Sequence, residues 1–156
     1  MLLDFFQGNS LSKIDEKLRC SFPKEFRRRL APKHENQVTV TIGHKGNLVL
    51  YPTRLWEEAS RKMLRRAKTP ELLEQAEKAI MMAHDSVLDA QNRISLTREL
   101  MEWAGIDRTV AFCGMLDTVR LCNPERLAAV VSGNSKQDHD AFDAAMFELM
   151  RDEEDA

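Results

Sequence analysis

The chain has 156 residues, 43% of them hydrophobic, and a net charge of −2. That size and apolar fraction suit one globular domain or two small ones, and the charge balance taken alone argues against a nucleic-acid binder. Cys20, Cys113 and Cys122 are odd in number and form no C-x-x-C, so neither a disulfide framework nor a zinc site is indicated and three reduced core residues are expected.

In chain order, the start MLLDFF has no basic leader, and no run approaches membrane-spanning length; the cytoplasm of a prokaryote-like cell is the expected compartment. Residues 8–14 suit an edge strand. After a turn at 15–17, Leu18, Cys20 and Phe22 alternate with Arg19 and Ser21, and a strand's period of two decides the faces: if the apolar set points into a core, the arginine and the serine point away. Pro23 opens a short helix with Phe26 and Leu30 on its buried stripe. Residues 38–42 alternate Val, Thr, Val, Thr, Ile and turn through 43–47 into 48–51, a hairpin. Thr53 is placed to cap a helix with an apolar face of Leu55, Ala59 and Met63, and Thr69 with Pro70 starts another carrying Leu72, Leu73, Ala76, Ala79 and Ile80. Strand 93–96, a helix through Leu100, Met101 and Trp103 capped by Gly105, a hairpin turning through 114–117, a helix from Pro124 and a last amphipathic helix over Phe142, Ala145, Met146, Leu149 and Met150 complete the reading.

The chain repeats itself. Residues 14–26, IDEKLRCSFPKEF, are echoed by 88–100, matching Ile14 with Leu88, Asp15 with Asp89, Arg19 with Arg93, Ser21 with Ser95, Phe22 with Leu96 and Lys24 with Arg98. Each copy is followed by a strand, a glycine and another strand, the signature of a duplicated unit. By the same parity Ile94 and Leu96 point inward while Arg93 and Ser95 point outward. The expected fold is α+β and β-rich, with two tandem half-units at 9–54 and 83–126 sharing one barrel-like core, a helical linker at 55–82 and a C-terminal helix and acidic tail at 127–156. A half-unit of under about 80 residues buries too little apolar surface to be comfortable alone.

Charge is also divided along the chain. Residues 13–33 carry Lys13, Lys17, Arg19, Lys24, Arg27, Arg28, Arg29 and Lys33 against Asp15, Glu16 and Glu25, whereas Asp138, Asp140, Asp143, Glu148, Asp152, Glu153, Glu154 and Asp155 face only Arg151 at the other end. The acidic end masks the basic one in any average.

Two copies of apolar-Asp-x-x-x-Arg-x-Ser-apolar, each followed by a short helix and a hairpin, resemble the MraZ proteins, a bacterial branch of the SpoVT-AbrB-like swapped-hairpin superfamily, over roughly residues 5–130. The family pattern reads Asp-x-x-Gly-Arg and usually ends in proline; here Leu18 and Asn92 stand at the glycines and Thr97 at the second proline. Leucine takes a left-handed backbone only with strain of about a kcal/mol or more, so either the first turn relaxes or glycine was not needed for its φ. The resemblance implies a nucleoid-associated transcription factor that forms a ring homo-oligomer. It would bind direct repeats in double-stranded promoter DNA upstream of the division and cell-wall cluster.

On the residues themselves, Arg19 and Arg93 are the candidates for DNA contact, since a guanidinium fork suits phosphate oxygens or a guanine edge. Lys13, Lys17 and Lys24 would add sequence-independent attraction, and Asp15 and Asp89 would hold their turns and orient the arginines. Arg27, Arg28 and Arg29 belong either to that surface or to a solvated or subunit-facing helix. Catalysis has little support, with no phosphate-cradling glycine loop, no H-E-x-x-H and no nucleophile elbow, and with His34, His44, His84 and His139 scattered. No cofactor, metal, membrane or small-molecule substrate is expected. Two competing readings remain: an antitoxin-like interaction module acting through the acidic C-terminal helix, and an acidic tail that competes with DNA for the basic segment.

Overall fold

A six-stranded antiparallel sheet and a two-stranded ribbon carry the fold, and both mix the two copies of the repeat. In the computed structural model, which describes residues 3–152, the strands are β1 (Asn9–Lys13), β2 (Arg19–Ser21), β3 (Gln37–Ile42), β4 (Leu48–Pro52), β5 (His84–Val87), β6 (Arg93–Ser95), β7 (Thr109–Met115) and β8 (Thr118–Cys122). The sheet order is β1-β7-β8-β4-β3-β5, and β2 pairs with β6. The first strand of each copy is thus donated to the hairpin of the other, β1 to β7 and β5 to β3. Equivalent strands also meet: Cys20 opposes Ile94 in the ribbon, and Val49 opposes Arg120 between β4 and β8.

This exchange explains why one core serves both copies. Phe22, Phe26, Val40 and Leu50 from the first copy pack in a single buried cluster with Ile94, Leu100, Phe112, Val119 and Leu121 from the second. An aromatic relay runs through it, with ring centroids 5.9 Å apart for Phe6 and Phe26, 6.0 Å for Phe26 and Phe22, and 6.0 Å for Phe22 and Phe112. The three cysteines are free and buried, and desolvation pushes the Cys20 thiol up to about 12 and Cys113 to about 11.

The helices follow from local chemistry. α1 (Lys24–Arg27) is a single turn with Pro23 at its N-cap rather than inside it, the Pro23 carbonyl accepting from the Phe26 and Arg27 N–H groups. α4 (Arg98–Ala104) in the second copy is capped by the Thr97 hydroxyl, which accepts from Leu100 N, and closes on Gly105 at φ 63°. Between the copies lie α2 (Thr53–Arg66) and α3 (Pro70–Met81). Thr69 caps α3, accepting from Leu72 N. Thr53 does not cap α2: Pro52, still paired in β4, takes that place without a side-chain bond, and Thr53 is already helical. The fully buried His34 braces this corner, its Nε2 2.9 Å from Asp4 Oδ2 and its Nδ1 accepting from Arg54 N at 3.2 Å.

Two further expectations are corrected. The strand β5 is absent from the sequence reading, although the repeat register that aligns Asp15 with Asp89 also aligns β1 with it. The second hairpin turns at Leu116 and Asp117 alone, because Gly114 remains in β7 opposite Val119. Gly114 is needed for close approach: a Cβ there would collide with the backbone of Phe6 and Gln7, and its N–H donates to Gly8 O at 2.8 Å. Thr39 and Thr41, the polar residues of the alternating run in β3, are buried as well, with Thr39 Oγ1 donating to Asp85 Oδ1 at 2.7 Å and Thr41 Oγ1 donating to the Ala79 carbonyl.

The tight second turn leaves Leu116 at φ 66° with its side chain 52% exposed. Asparagine tolerates that backbone at lower cost, so Leu116→Asn is expected to stabilise the protein by about 0.5–1 kcal/mol, or ~1–4 °C in Tm. An unchanged or lowered melting temperature would show that the exposed leucine is doing more than turning the chain.

Residues Met1–Pro124 form one compact unit and Glu125–Ala156 another. The second consists of most of α5 (Pro124–Val131) and of α6 (Lys136–Met150), which starts with a capping box: Ser135 Oγ accepts from Asp138 N and Asp138 Oδ2 accepts from Ser135 N at 2.8 Å. No residue of α6 is buried. The expected frayed acidic end at 153–156 lies outside the described residues.

Candidate nucleic-acid interface

The ribbon β2–β6 presents its two faces as parity requires. Cys20, Phe22, Ile94 and Leu96 are at most 4% exposed, while Arg19 opposes Ser95 and Ser21 opposes Arg93 on the other face. Two arginines and two serines therefore form a four-residue polar surface, with the arginines on a diagonal and their side chains 31% and 25% exposed.

Each arginine is held by the aspartate four residues before it. Asp15 Oδ1 accepts from the Lys17 and Arg19 N–H groups, both at 2.9 Å, and Asp15 Oδ2 accepts from Arg19 Nε at 2.9 Å. Asp89 repeats this with Gln91 N at 2.8 Å, Arg93 N at 2.9 Å and Arg93 Nε at 2.8 Å. One carboxylate oxygen fixes the turn and the other aims the guanidinium, and Arg93 Nη1 also reaches Asp15 Oδ2 across the copies at 3.7 Å. With Nε engaged by its own aspartate, each guanidinium is fixed relative to its turn, and its terminal nitrogens are the donors with which a fork can meet an external acceptor.

The turns keep the left-handed residue despite the missing glycines: Leu18 stands at φ 62° and Asn92 at φ 59°. The reason is topological. The Leu18 carbonyl accepts from Leu96 N at 2.8 Å and the Asn92 carbonyl from Phe22 N at 3.0 Å, so these two peptides stitch the copies together at both ends of the ribbon. Relaxing either turn would release one of those bonds, and Leu18 recovers part of its strain by packing its half-buried side chain on the core.

Both carboxyls are held below the ordinary aspartate value of 3.8, first by the backbone N–H of Arg19 or Arg93 and then by the same arginine's side chain, which together outweigh partial desolvation. A folded value below the unfolded one gives stability that is present above the ordinary range and lost as pH falls through the folded value. Asp15→Asn with Asp89→Asn is therefore expected to flatten the acid limb of a plot of urea midpoint against pH between about 5 and 2. An acid limb as steep as the wild type's would assign the titration elsewhere.

The lysines are less tightly placed. Lys13 ends β1, Lys17 lies in the Asp15 turn and Lys24 begins α1, all three exposed. Their counterparts in the second copy are Val87, Gln91 and Arg98, so positive charge is concentrated on the first. Arg98 is exposed and was legible from its alignment with Lys24. Arg108 carried no such signal; it is brought to the base of the ribbon because its carbonyl accepts from Ile14 N at 2.8 Å. Arg28 faces Glu25 at 3.9 Å, and Arg29 is half-buried with Nη1 near Phe5 O at 3.5 Å, so Arg29 braces the N-terminal segment.

No family model matches the chain. It is 34% identical to the transcriptional regulator MraZ of a Nocardioides species over 125 residues, covering 78% of this chain and 82% of that protein. The chain belongs to the MraZ family. The MraZ regulators of Shewanella pealeana and Shewanella oneidensis are 31% and 28% identical to it, each over 74% of this chain and 78% of theirs. Among the described residues no helix is long and apolar enough to cross a membrane.

Proposed function

We propose that this chain is a sequence-specific DNA-binding transcriptional regulator of the MraZ type, in which the ribbon of β2 and β6 enters the major groove and Arg19 and Arg93 read or clamp the duplex. The observation that carries this reading is the pair of pre-aimed arginines on one polar face, repeated with the same aspartate geometry in both copies. A two-stranded ribbon fits a groove about 12 Å wide. Lys13, Lys17, Lys24, Arg98 and Arg108 supply phosphate attraction around it, and Asp15 and Asp89 act through the arginines rather than on the nucleic acid. The names of the relatives support a regulatory role. The two copies, read as AbrB-like half-units, present one ribbon per chain, and a ring of chains would engage successive promoter repeats upstream of division and cell-wall genes in the nucleoid. Single-ribbon contacts that are weak alone become tight when linked in this way.

The test is retardation of a duplex carrying the chain's own upstream region across a salt series. Binding tighter than to an unrelated duplex, with a log–log slope of about −0.9 for each phosphate contact, is the expected result. Equal affinity for both duplexes overturns sequence specificity, and no retardation overturns DNA binding.

A further inference from the structure

The two ends of the β2–β6 ribbon are not alike. In the repeat register that aligns Asp15 with Asp89, His84, Ser86 and Ser95 of the second copy answer to Ser10, Ser12 and Ser21 of the first. His84 and Ser86 share one face of β5, opposite Val40 and Val38 of β3. From there they reach the flank of β6. Ser86 Oγ accepts from Ser95 N at 3.0 Å, His84 Nε2 lies 3.0 Å from Ser95 Oγ, and the Ser86 and Ser95 hydroxyls are 3.4 Å apart. The half-buried Ser95 is thereby held at its backbone and at its hydroxyl, directly across the ribbon from Arg19. At the other end Ser12 Oγ donates to the Ser21 carbonyl at 2.8 Å. Among the described residues the hydroxyls of Ser10 and Ser21 have no hydrogen-bond partner, and Ser21 is exposed opposite Arg93.

We propose that Ser95, oriented by His84, reads a base edge at the Arg19 end of the ribbon, so that the site recognised on the duplex has unlike halves. This rests on the DNA-binding reading above and names a specificity determinant within it. A serine hydroxyl both donates and accepts, so one that turns freely meets either kind of group on a base edge and discriminates little. Ser21 is of that kind. A hydroxyl tied to an imidazole is different. When Nε2 carries the proton, Ser95 Oγ accepts from the ring and keeps its own proton for a base acceptor; when Nδ1 carries it, Ser95 donates to Nε2 and offers a base only a lone pair. Each tautomer gives the hydroxyl one sense rather than both, which the Arg93 end lacks. His84 is thus a positioning residue, and Ser86 fixes the pivot about which the hydroxyl turns. Hydrolytic chemistry does not suit this serine and histidine, because the adjacent Asp85 lies on the other face of β5 and accepts from Thr39 instead of orienting the imidazole.

The test uses the full chain and a scan in which each base pair of its own upstream duplex is replaced in turn, with binding followed by fluorescence anisotropy and folding by circular dichroism. Ser95→Ala and His84→Ala are each expected to relax discrimination at the same base pair by about three- to tenfold, the range of one hydrogen bond, with affinity for an unrelated duplex unchanged. The double variant should lose no more than Ser95→Ala alone, since both act on one contact. His84→Gln, whose amide reaches the place of Nε2, should recover most of the discrimination, and Ser21→Ala should change it little. If His84→Ala does not fold, His84→Asn, whose amide stops short of Ser95, takes its place. A loss spread evenly over all base pairs overturns the proposal, as does discrimination in Ser95→Ala or His84→Ala equal to wild type. The same scan separates the two readings. A wild-type chain that binds its own upstream duplex no better than an unrelated one overturns both, whereas sequence preference that survives in the variants removes only the role of Ser95 and His84.

Discussion

Replacing Arg19 and Arg93 together by alanine is expected to lower affinity for a promoter duplex at least a hundredfold while leaving fold and assembly intact. Each guanidinium that meets a guanine edge bidentately gives about 1–3 kcal/mol of discrimination, so two lost contacts per chain amount to some 2–6 kcal/mol before avidity multiplies them. Stability should move little. The aspartates fix their turns through backbone N–H groups that the substitutions leave in place, and partly exposed ion pairs contribute about 0–1 kcal/mol each. The single variants should differ, since Arg93 also reaches Asp15 across the ribbon and its loss leaves Arg19 as the one arginine beside that carboxylate. Fluorescence anisotropy over a salt series, with circular dichroism and light scattering on the same samples, separates these effects. Affinity within threefold of wild type would remove the ribbon from the mechanism, and a collapsed assembly would show that the arginines are structural.

The ribbon was legible because strand parity is a hard constraint: once Cys20, Phe22, Ile94 and Leu96 are placed inside, Arg19 and Arg93 have nowhere to point but out. The carboxylate spacing that orients them was equally readable from Asp-x-x-x-Arg. The partners of the strands were not. A repeat shows which segments are equivalent and says nothing of whether each copy pairs with itself or exchanges its first strand, so the donation of β1 to β7 and of β5 to β3 had no signal. β5 itself, His-Asp-Ser-Val, carries one apolar residue, and that one, Val87, is 61% exposed; backbone pairing with β3 holds it, not hydrophobic alternation. Gly114 was read as a turn residue because glycine usually marks turns, whereas here it makes room for the N-terminal segment. Thr39 and Thr41 alternated as a half-solvated strand should, but Asp85 and the Ala79 carbonyl cover them, a tertiary override that periodicity cannot show.

Phe22→Ala is expected to be the most damaging single substitution near the interface, costing about 3–5 kcal/mol, a large share of the 5–15 kcal/mol that holds a typical domain together. The ribbon strands are three residues each, too short to hold their place by pairing alone, so their inward side chains must anchor them. Phe22 is the largest of these, 1% exposed, with ring contacts at 6.0 Å to both Phe26 and Phe112, and truncating it cuts the aromatic relay in the middle. Leu96 occupies the equivalent place in the second copy and is 4% exposed, which shows that a leucine can fill such a site; Phe22→Leu should therefore cost only ~1–2 kcal/mol. At ~2–4 °C per kcal/mol for a chain of this size, the alanine variant should melt roughly 6–20 °C below wild type. DNA affinity at a temperature where the variant is still folded should also fall, because the loosened strand no longer holds Arg19 at a fixed distance from Arg93. A cost below about 1 kcal/mol would mean that the ribbon is secured by the cross-copy bonds at Leu18 and Asn92 and not by the core beneath it.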